Sequence, residues 1–275
     1  MLPRPPSRLR SLLFHLRRPL AARGFPPSLD DDLRREIETR FAAILRPYEL
    51  SAAVFQRFKR ECGYADSYVG YMGPELLDEK LLEHFVSVEL LRPQSGEVSI
   101  DIGSAQSPFF NWVAKTFGCE SYQLDLAYEP GVHGNKIGAS ADAMPFEAPA
   151  VDVMTLHCSI DHFEGQSDSG FVREAARVLK PGGRVCILPV YFAAEPTNIV
   201  DPKHFAPRAT IDPMARVRSV EGYNNRFGRF YSPETFQRRI LDAAVGLNAE
   251  LYRIGGERER IPKVYLDYAL LLRKP

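Results

Sequence analysis

The sequence predicts a doubly wound α/β fold built on a mostly parallel sheet, and three observations carry that prediction. Apolar runs at 98–102, 121–126, 151–157 and 184–189 alternate with stretches of helical periodicity, as expected of strands joined by crossover helices. The first run continues as V-S-I-D-I-G-S-A-Q-S-P over 98–108, which reads as a strand, a tight turn of small residues and a helix opened by Ser107 and Pro108. Acids stand at the ends of the first two strands, Asp101 and Asp125. In such folds the first turn aims backbone N–H groups at a ligand beyond the strand's carboxyl end.

The 275 residues suffice for one or two domains. Equal numbers of basic and acidic residues, 35 each, argue against a general nucleic-acid binder. The balance is uneven along the chain: residues 1–29 carry six arginines and no acid. Cys62, Cys119, Cys158 and Cys186 stand singly, without the close pairs of a zinc or redox motif, so no metal site is expected and the thiols suit a reducing, cytoplasmic setting. No run reaches the length of a membrane span, and no secretory signal is legible.

Taken in order, Leu9, Leu12, Leu13, Leu16 and Leu20 form one helical stripe flanked by arginines. Residues 1–29 therefore read as a basic amphipathic extension. Its stripe over 9–20 suits a peripheral contact with the inner face of an anionic membrane, or docking on the chain's own domain or a partner. Residues 30–92 read as a helical cap. S-L-D-D-D-L at 28–33 opens a helix with Leu33, Ile37, Phe41 and Ile44 on one face, stopped by Arg46-Pro47. A second helix spans about 51–62, residues 64–73 read as a Tyr- and Gly-rich loop, and a third helix runs from Pro74 to about Leu91 with Leu77, Leu81, Phe85 and Val88 on its apolar side.

From residue 93 onward the alternating core begins. It continues through a helix at 108–117, a loop A-D-A-M-P-F at 141–146, the polar segment C-S-I-D-H-F-E-G at 158–165 and a helix at 168–179 ending in K-P-G-G. Residues 190–231 read as a long irregular insertion in which seven aromatics interleave with Arg208, Arg216, Arg218, Arg226 and Arg229. Loops of this length are usually functional. A helix from Ser232 to about Val245 and strands at 250–254 and 264–272 close the chain.

The turn keeps Gly103 but lacks the second and third glycines of G-x-G-x-x-G, which argues against a nicotinamide dinucleotide. Asp125 suits a ribose diol, or caps a loop.

The set V-S-I-D-I-G-S, Y-Q-L-D-L, A-D-A-M-P-F, V-D-V-M-T-L-H and R-V-L-K-P-G-G-R-V-C-I-L-P, in that order and spacing, resembles the class I S-adenosylmethionine-dependent methyltransferases. The resemblance is strongest over 74–192. It implies a Rossmann-like methyltransferase fold over 93–275, closed by an antiparallel C-terminal strand, with S-adenosyl-L-methionine as cofactor. Asp101, Gly103 and Ser104 match positions near the methionine part, Asp125 and Leu126 the ribose segment, and Asp142 with Ala143 the adenine segment. His157 falls where the fourth strand ends near the reacting methyl. The family often has glycine where this chain has Ala105 and Ser107.

For a hydroxyl acceptor, His162, Asp161 and His157 are the candidate acid–base groups, with a loop-fixing role as the alternative for the first two. In the insertion, arginine forks suit carboxylate or phosphate and aromatic faces suit sugar rings, with His204, Arg226 and Tyr231 as candidate acceptor contacts. The other reading of the insertion is a self-packing lid. The function expected is O-methylation of a small or glycan-like hydroxyl acceptor; the alternative is a non-catalytic cofactor-binding or scaffold protein of the same fold.

Overall fold

The computed structural model describes residues 29–203 and 209–275. The basic stripe at 9–20 and His204 lie outside the described residues. Helix α1 (Asp31–Arg40) starts on Asp30, whose carboxylate accepts the Leu33 N–H at 2.8 Å, and carries Asp31 and Asp32 at its positive end. Strand β1 (Leu45–Leu50) follows and is the first departure from an all-helical 30–92. Pro47 cannot continue a helix but is tolerated in an edge strand, and β1 pairs only with β11, on the sheet's margin.

Helix α2 (Ala52–Glu61) opens on Ser51. Helix α3 (Ala65–Met72) occupies the stretch expected to be a loop. Tyr64 and Tyr68 are both buried there, edge to face at 6.3 Å, and both rings pack on His84; this packing outweighs the glycine content. Helix α4 (Leu77–Leu91) comes next.

The core then runs β2 (Val98–Ile102), α5 (Phe109–Phe117), β3 (Glu120–Leu124), β4 (Gly131–His133), β5 (Lys136–Gly138), β6 (Val151–His157), a 3-10 turn at Ile160–His162, α6 (Ser167–Val178) and β7 (Leu179–Leu188). Among the described residues of the expected insertion, strands β8 (Thr197–Val200), β9 (Arg216–Ser219) and β10 (Gly228–Phe230) form a second, three-stranded sheet in the order β10-β8-β9. Helix α7 (Pro233–Phe236) continues as a π-helical turn over Gln237–Leu241, and β11 (Asn248–Gly256) and β12 (Tyr268–Arg273) complete the chain.

The main sheet has the order β1-β11-β12-β7-β6-β2-β3-β5-β4. Strands β5, β3, β2, β6 and β7 are mutually parallel, and β12 runs antiparallel to both β7 and β11. Both faces are buried. Ile100, Met154, Leu156, Val185, Ile187, Leu270 and Leu272 point to a layer with α1 and α6, while Val153, Cys186, Leu188, Ala269 and Leu271 point to a layer with α2 to α4. Strand β12 starts later than expected because the N–H groups of Tyr265 and Leu266 donate to buried Glu79 Oε2 at 2.7 and 3.3 Å instead of entering the ladder.

Candidate active site

The carboxyl ends of β2, β3 and β6 meet at one place, the reversal point of the strand order. Gly103 has φ +66°, and a Cβ there would lie 2.6 Å from Ser159 Cβ, so only glycine lets the turn after β2 lie against the turn after β6. Ala105 also takes a left-handed φ of +46° without being glycine. It is held there from both sides: its N–H donates to Asp125 Oδ2 at 2.9 Å, and its carbonyl accepts from the Tyr128 hydroxyl.

Asp125 Oδ1 accepts from Ala127 N–H at 2.8 Å. A carboxylate has about four acceptor positions, so two remain for a diol. Leu126 beside it is exposed, and Ser104 is buried with its hydroxyl 3.2 Å from that of Tyr128.

Asp101 is 3% exposed. Its Oδ1 accepts from Thr155 Oγ1 at 2.9 Å and faces His157 Nδ1 at 3.2 Å, while Oδ2 is buried without a partner. A buried carboxylate oxygen left this way is costly unless a ligand supplies a donor.

His157 has both ring nitrogens occupied, the second by Ser87 Oγ at 3.0 Å, and its side chain is buried. This corrects its expected part as an acid–base group: no nitrogen remains to take an acceptor's proton, and the ring instead holds Asp101.

Asp142 accepts from the Ser140 hydroxyl and lies against Gly170 of α6, where a Cβ would come within 2.8 Å of its own. The 141–146 loop is pinned to α6: Met144 N–H donates to Glu174 Oε1 at 2.8 Å, and Arg177 donates to the carbonyls of Phe146 and Met144 at 3.0 and 3.2 Å. Arg177 in turn holds the Glu174 carboxyl below its ordinary range. Ala143 stands exposed on this loop. A cavity of about 470 Å³ opens beside Asp142, lined also by Gln166, Ser167, Gly170, Arg173, Glu174 and Arg177, and it includes neither Asp101 nor Asp125.

On the segment after β6, His162 Nδ1 lies 2.7 Å from the Phe227 carbonyl, so Nδ1 carries the proton and donates. Nε2 is left 3.6 Å from Asp161 Oδ2. Asp161 is buried; its Oδ2 accepts from the Tyr223 hydroxyl at 3.3 Å and its Oδ1 has no partner.

The segment carrying both is fastened by the insertion. Arg229, 2% exposed, donates to the carbonyls of Phe163 and Gly165 and pairs with Asp212 and Asp168, and Arg239 from the π turn pairs with the same Asp168.

Two expected acceptor contacts are corrected here. Tyr231 is 1% exposed and donates to Asp168 Oδ2 at 2.9 Å, so it belongs to the core. Arg226 is tied to Glu164. Arg216 likewise pairs with Glu195 at the surface, and Arg229 is buried against Asp212.

A group that sequence reasoning missed lies beside Asp161. Helix α4 buries its polar side as well as its apolar one: Glu79, Lys80, Glu83, His84 and Ser87 are all buried. Lys80 Nζ pairs with Glu83 at 3.0 and 3.2 Å. Cys158, at the unusual φ of +47°, donates from Sγ to Glu83 Oε1 at 3.0 Å and meets the hydroxyls of Tyr191 and Tyr265 at 3.2 and 3.9 Å.

Burial, with Glu83 second, pushes the Cys158 thiol well up; burial does the same to the phenols of Tyr191, Tyr223 and Tyr265, so all four stay neutral. Burial, then His157 and Lys80, lowers His84, which is therefore a neutral imidazole. Lys80, Glu83, His84 and Ser87 fall on one helical face (i, i+3, i+4, i+7), a pattern that in sequence reads as a solvated face, so only the structure shows their burial.

Residues 100–187 match the family model described as a methyltransferase domain. No curated protein matches the chain. Among solved structures, the chain is similar to a complex between the Haloferax volcanii Trm112 methyltransferase activator and a methyltransferase, at 16% identity, TM-score 0.47, with 80% of this chain and 96% of that one covered. It is also similar to the 1,6-didemethyltoxoflavin-N1-methyltransferase of Burkholderia thailandensis, at 15% identity and TM-score 0.47, covering 82% and 92%. A third is the phosphoethanolamine N-methyltransferase 2 of Haemonchus contortus, at 13% identity and TM-score 0.47, covering 82% and 60%.

Proposed function

We infer that this chain, whose residues 100–187 match the methyltransferase-domain model, is a class I S-adenosylmethionine-dependent enzyme that transfers a methyl group to a small acceptor through a hydroxyl. The observation that carries the hydroxyl reading is the fixed tautomer of His162: with Nδ1 donating to Phe227, Nε2 is the nitrogen free to take a proton.

The residues around the β2 turn fit the donor. Gly103 lets the turn after β2 pack on Ser159, Asp101 Oδ2 waits for a hydrogen-bond donor, and Asp125 keeps lone pairs for two ribose hydroxyls. Asp142 and Ala143, on their pinned loop, would meet the adenine. When bound, S-adenosylmethionine supplies an electrophilic methyl on a positively charged sulfur.

The chain's own part is to orient and to move a proton. Arg229 and Arg239, bonded to the carbonyls of Phe163 and Gly165, hold the 158–165 segment, which keeps His162 Nε2 in register with an acceptor above β6. Nε2 takes the hydroxyl proton, and Asp161 at 3.6 Å provides the counter-charge.

The test uses an isotope-labelled methyl donor and a metabolite extract. Replacing His162 with Gln is expected to lower transfer by about 10²–10⁴-fold while S-adenosylhomocysteine affinity stays unchanged, and Asp125→Ala is expected to lose that affinity. Undiminished transfer by His162→Gln, or a labelled product that is an N-methyl compound instead of a methyl ether, would overturn the hydroxyl reading.

A further inference from the structure

Four buried side-chain atoms without partners cluster on the sheet's carboxyl end and on α4: Glu79 Oε1, His84 Nε2, Asp101 Oδ2 and Asp161 Oδ1. Asp101 belongs to the donor side. Asp161 lies on the acceptor side, one turn beyond Cys158, and Ser159 between them packs on Gly103.

Its surroundings have a definite chemistry. Lys80 pairs with Glu83, and the Asp161 carboxylate, with the unprotonated Nε2 of His162 at 3.6 Å, has no cation paired to it among the described residues. In front stand aromatic faces: Tyr191 stacks on Phe230 at 4.8 Å with 7° between planes, and Tyr265 lies 6.2 Å from Tyr191. Tyr223 donates to Asp161 itself. Tyr191, Tyr223, Tyr265, Cys158 and His162 are all partly exposed, whereas Glu83 and Asp161 lie behind them, buried.

A buried carboxylate floor behind π faces attracts a cation and repels an anion. Of the insertion's arginines, Arg229 is buried against Asp212, and Arg216 and Arg226 pair with Glu195 and Glu164.

We propose that the acceptor carries a positively charged nitrogen, seated against the contacting rings of Tyr191 and Tyr265 on the side of the free oxygen of Asp161. The inference rests on the acceptor lying above β6, as in the proposed function, and it adds a recognition handle to the hydroxyl that is methylated. The acceptor class becomes an amino-bearing hydroxyl compound, in place of an anionic or uncharged one.

The test is calorimetric and uses the full chain. S-adenosylhomocysteine uptake is measured first; its failure removes the donor-site reading, and this inference with it. The loaded protein is then titrated with choline and with 3,3-dimethylbutan-1-ol, which has the same shape without the charge. Choline is expected to bind about tenfold or more tightly than the alcohol. Asp161→Asn and, independently, Tyr191→Leu are expected to bring the two ligands to near-equal affinity while S-adenosylhomocysteine still binds. No binding of choline to loaded protein, equal affinity for the two ligands in the unaltered chain, or a choline preference that survives both substitutions would overturn the cation inference alone.

Discussion

Replacing Glu79 with Gln gives a stability change whose sign and pH dependence follow from the structure. Glu79 is fully buried on α4, and burial, with Glu83 as the second cause, pushes its carboxyl from 4.5 up to about 8. The folded value exceeds the unfolded one, so between pH 4.5 and 8 the native state retains a proton that the unfolded chain has released. Stability from this group therefore falls as the pH rises through that window and levels off above it. At about 1.4 kcal/mol per pH unit, the penalty at pH 7 is about 3 kcal/mol.

Gln keeps the shape and removes the ionisation. Its carbonyl can still accept from the N–H groups of Tyr265 and Leu266, and its amide takes the place of the unpartnered Oε1. Urea unfolding of both proteins between pH 5 and 8.5 is the assay, since groups common to the two chains cancel in the difference. Glu79→Gln is expected to gain about 3 kcal/mol over the unaltered protein at pH 7 and much less at pH 5. Parallel pH profiles for the two proteins would refute the reasoning.

Two further substitutions separate the donor turn from the clamp beneath the acceptor side. Gly103→Ala meets Ser159 and holds a side chain at φ +66°; it should cost about 2 kcal/mol in urea unfolding and weaken S-adenosylhomocysteine binding in calorimetry. Gly96→Ala shares the positive φ but meets nothing within 4 Å, so it should leave that binding intact. Asp168→Ala removes the fully buried carboxylate shared by Arg229 and Arg239, leaving Arg229 with Asp212 and Arg239 without its close partner. Its expected cost is about 3–5 kcal/mol, read from urea unfolding, and a loss under about 1 kcal/mol would contradict the clamp.

Much of the turn after β2 was readable because its determinants are local. A glycine at a forced φ, a proline opening a helix and an acid at a strand end each act within a few residues of chain. The strands of the core were legible for a related reason: buried on both faces, they are continuous apolar runs flanked by turns. Elements that depend on distant partners were not. Strand β1 exists because β11 offers an edge 200 residues away, and α3 because two tyrosines find His84. The sheet formed by β8 to β10 was hidden for want of any period in an arginine-rich stretch whose charges are matched only after folding.

The sequence by itself determined the central parallel strands, the turn at Asp101–Pro108 and the acids at 101 and 125, since backbone geometry and strand burial leave those residue types little choice. The acceptor side was decided by tertiary structure. Its groups come from 79–84, 158–162, 191, 223 and 265, and whether an arginine there greets a ligand or a buried carboxylate depends on which charges folding brings within a few ångströms. Here Arg226 met Glu164 and Arg229 met Asp212 and Asp168, and the carboxylate left over was Asp161.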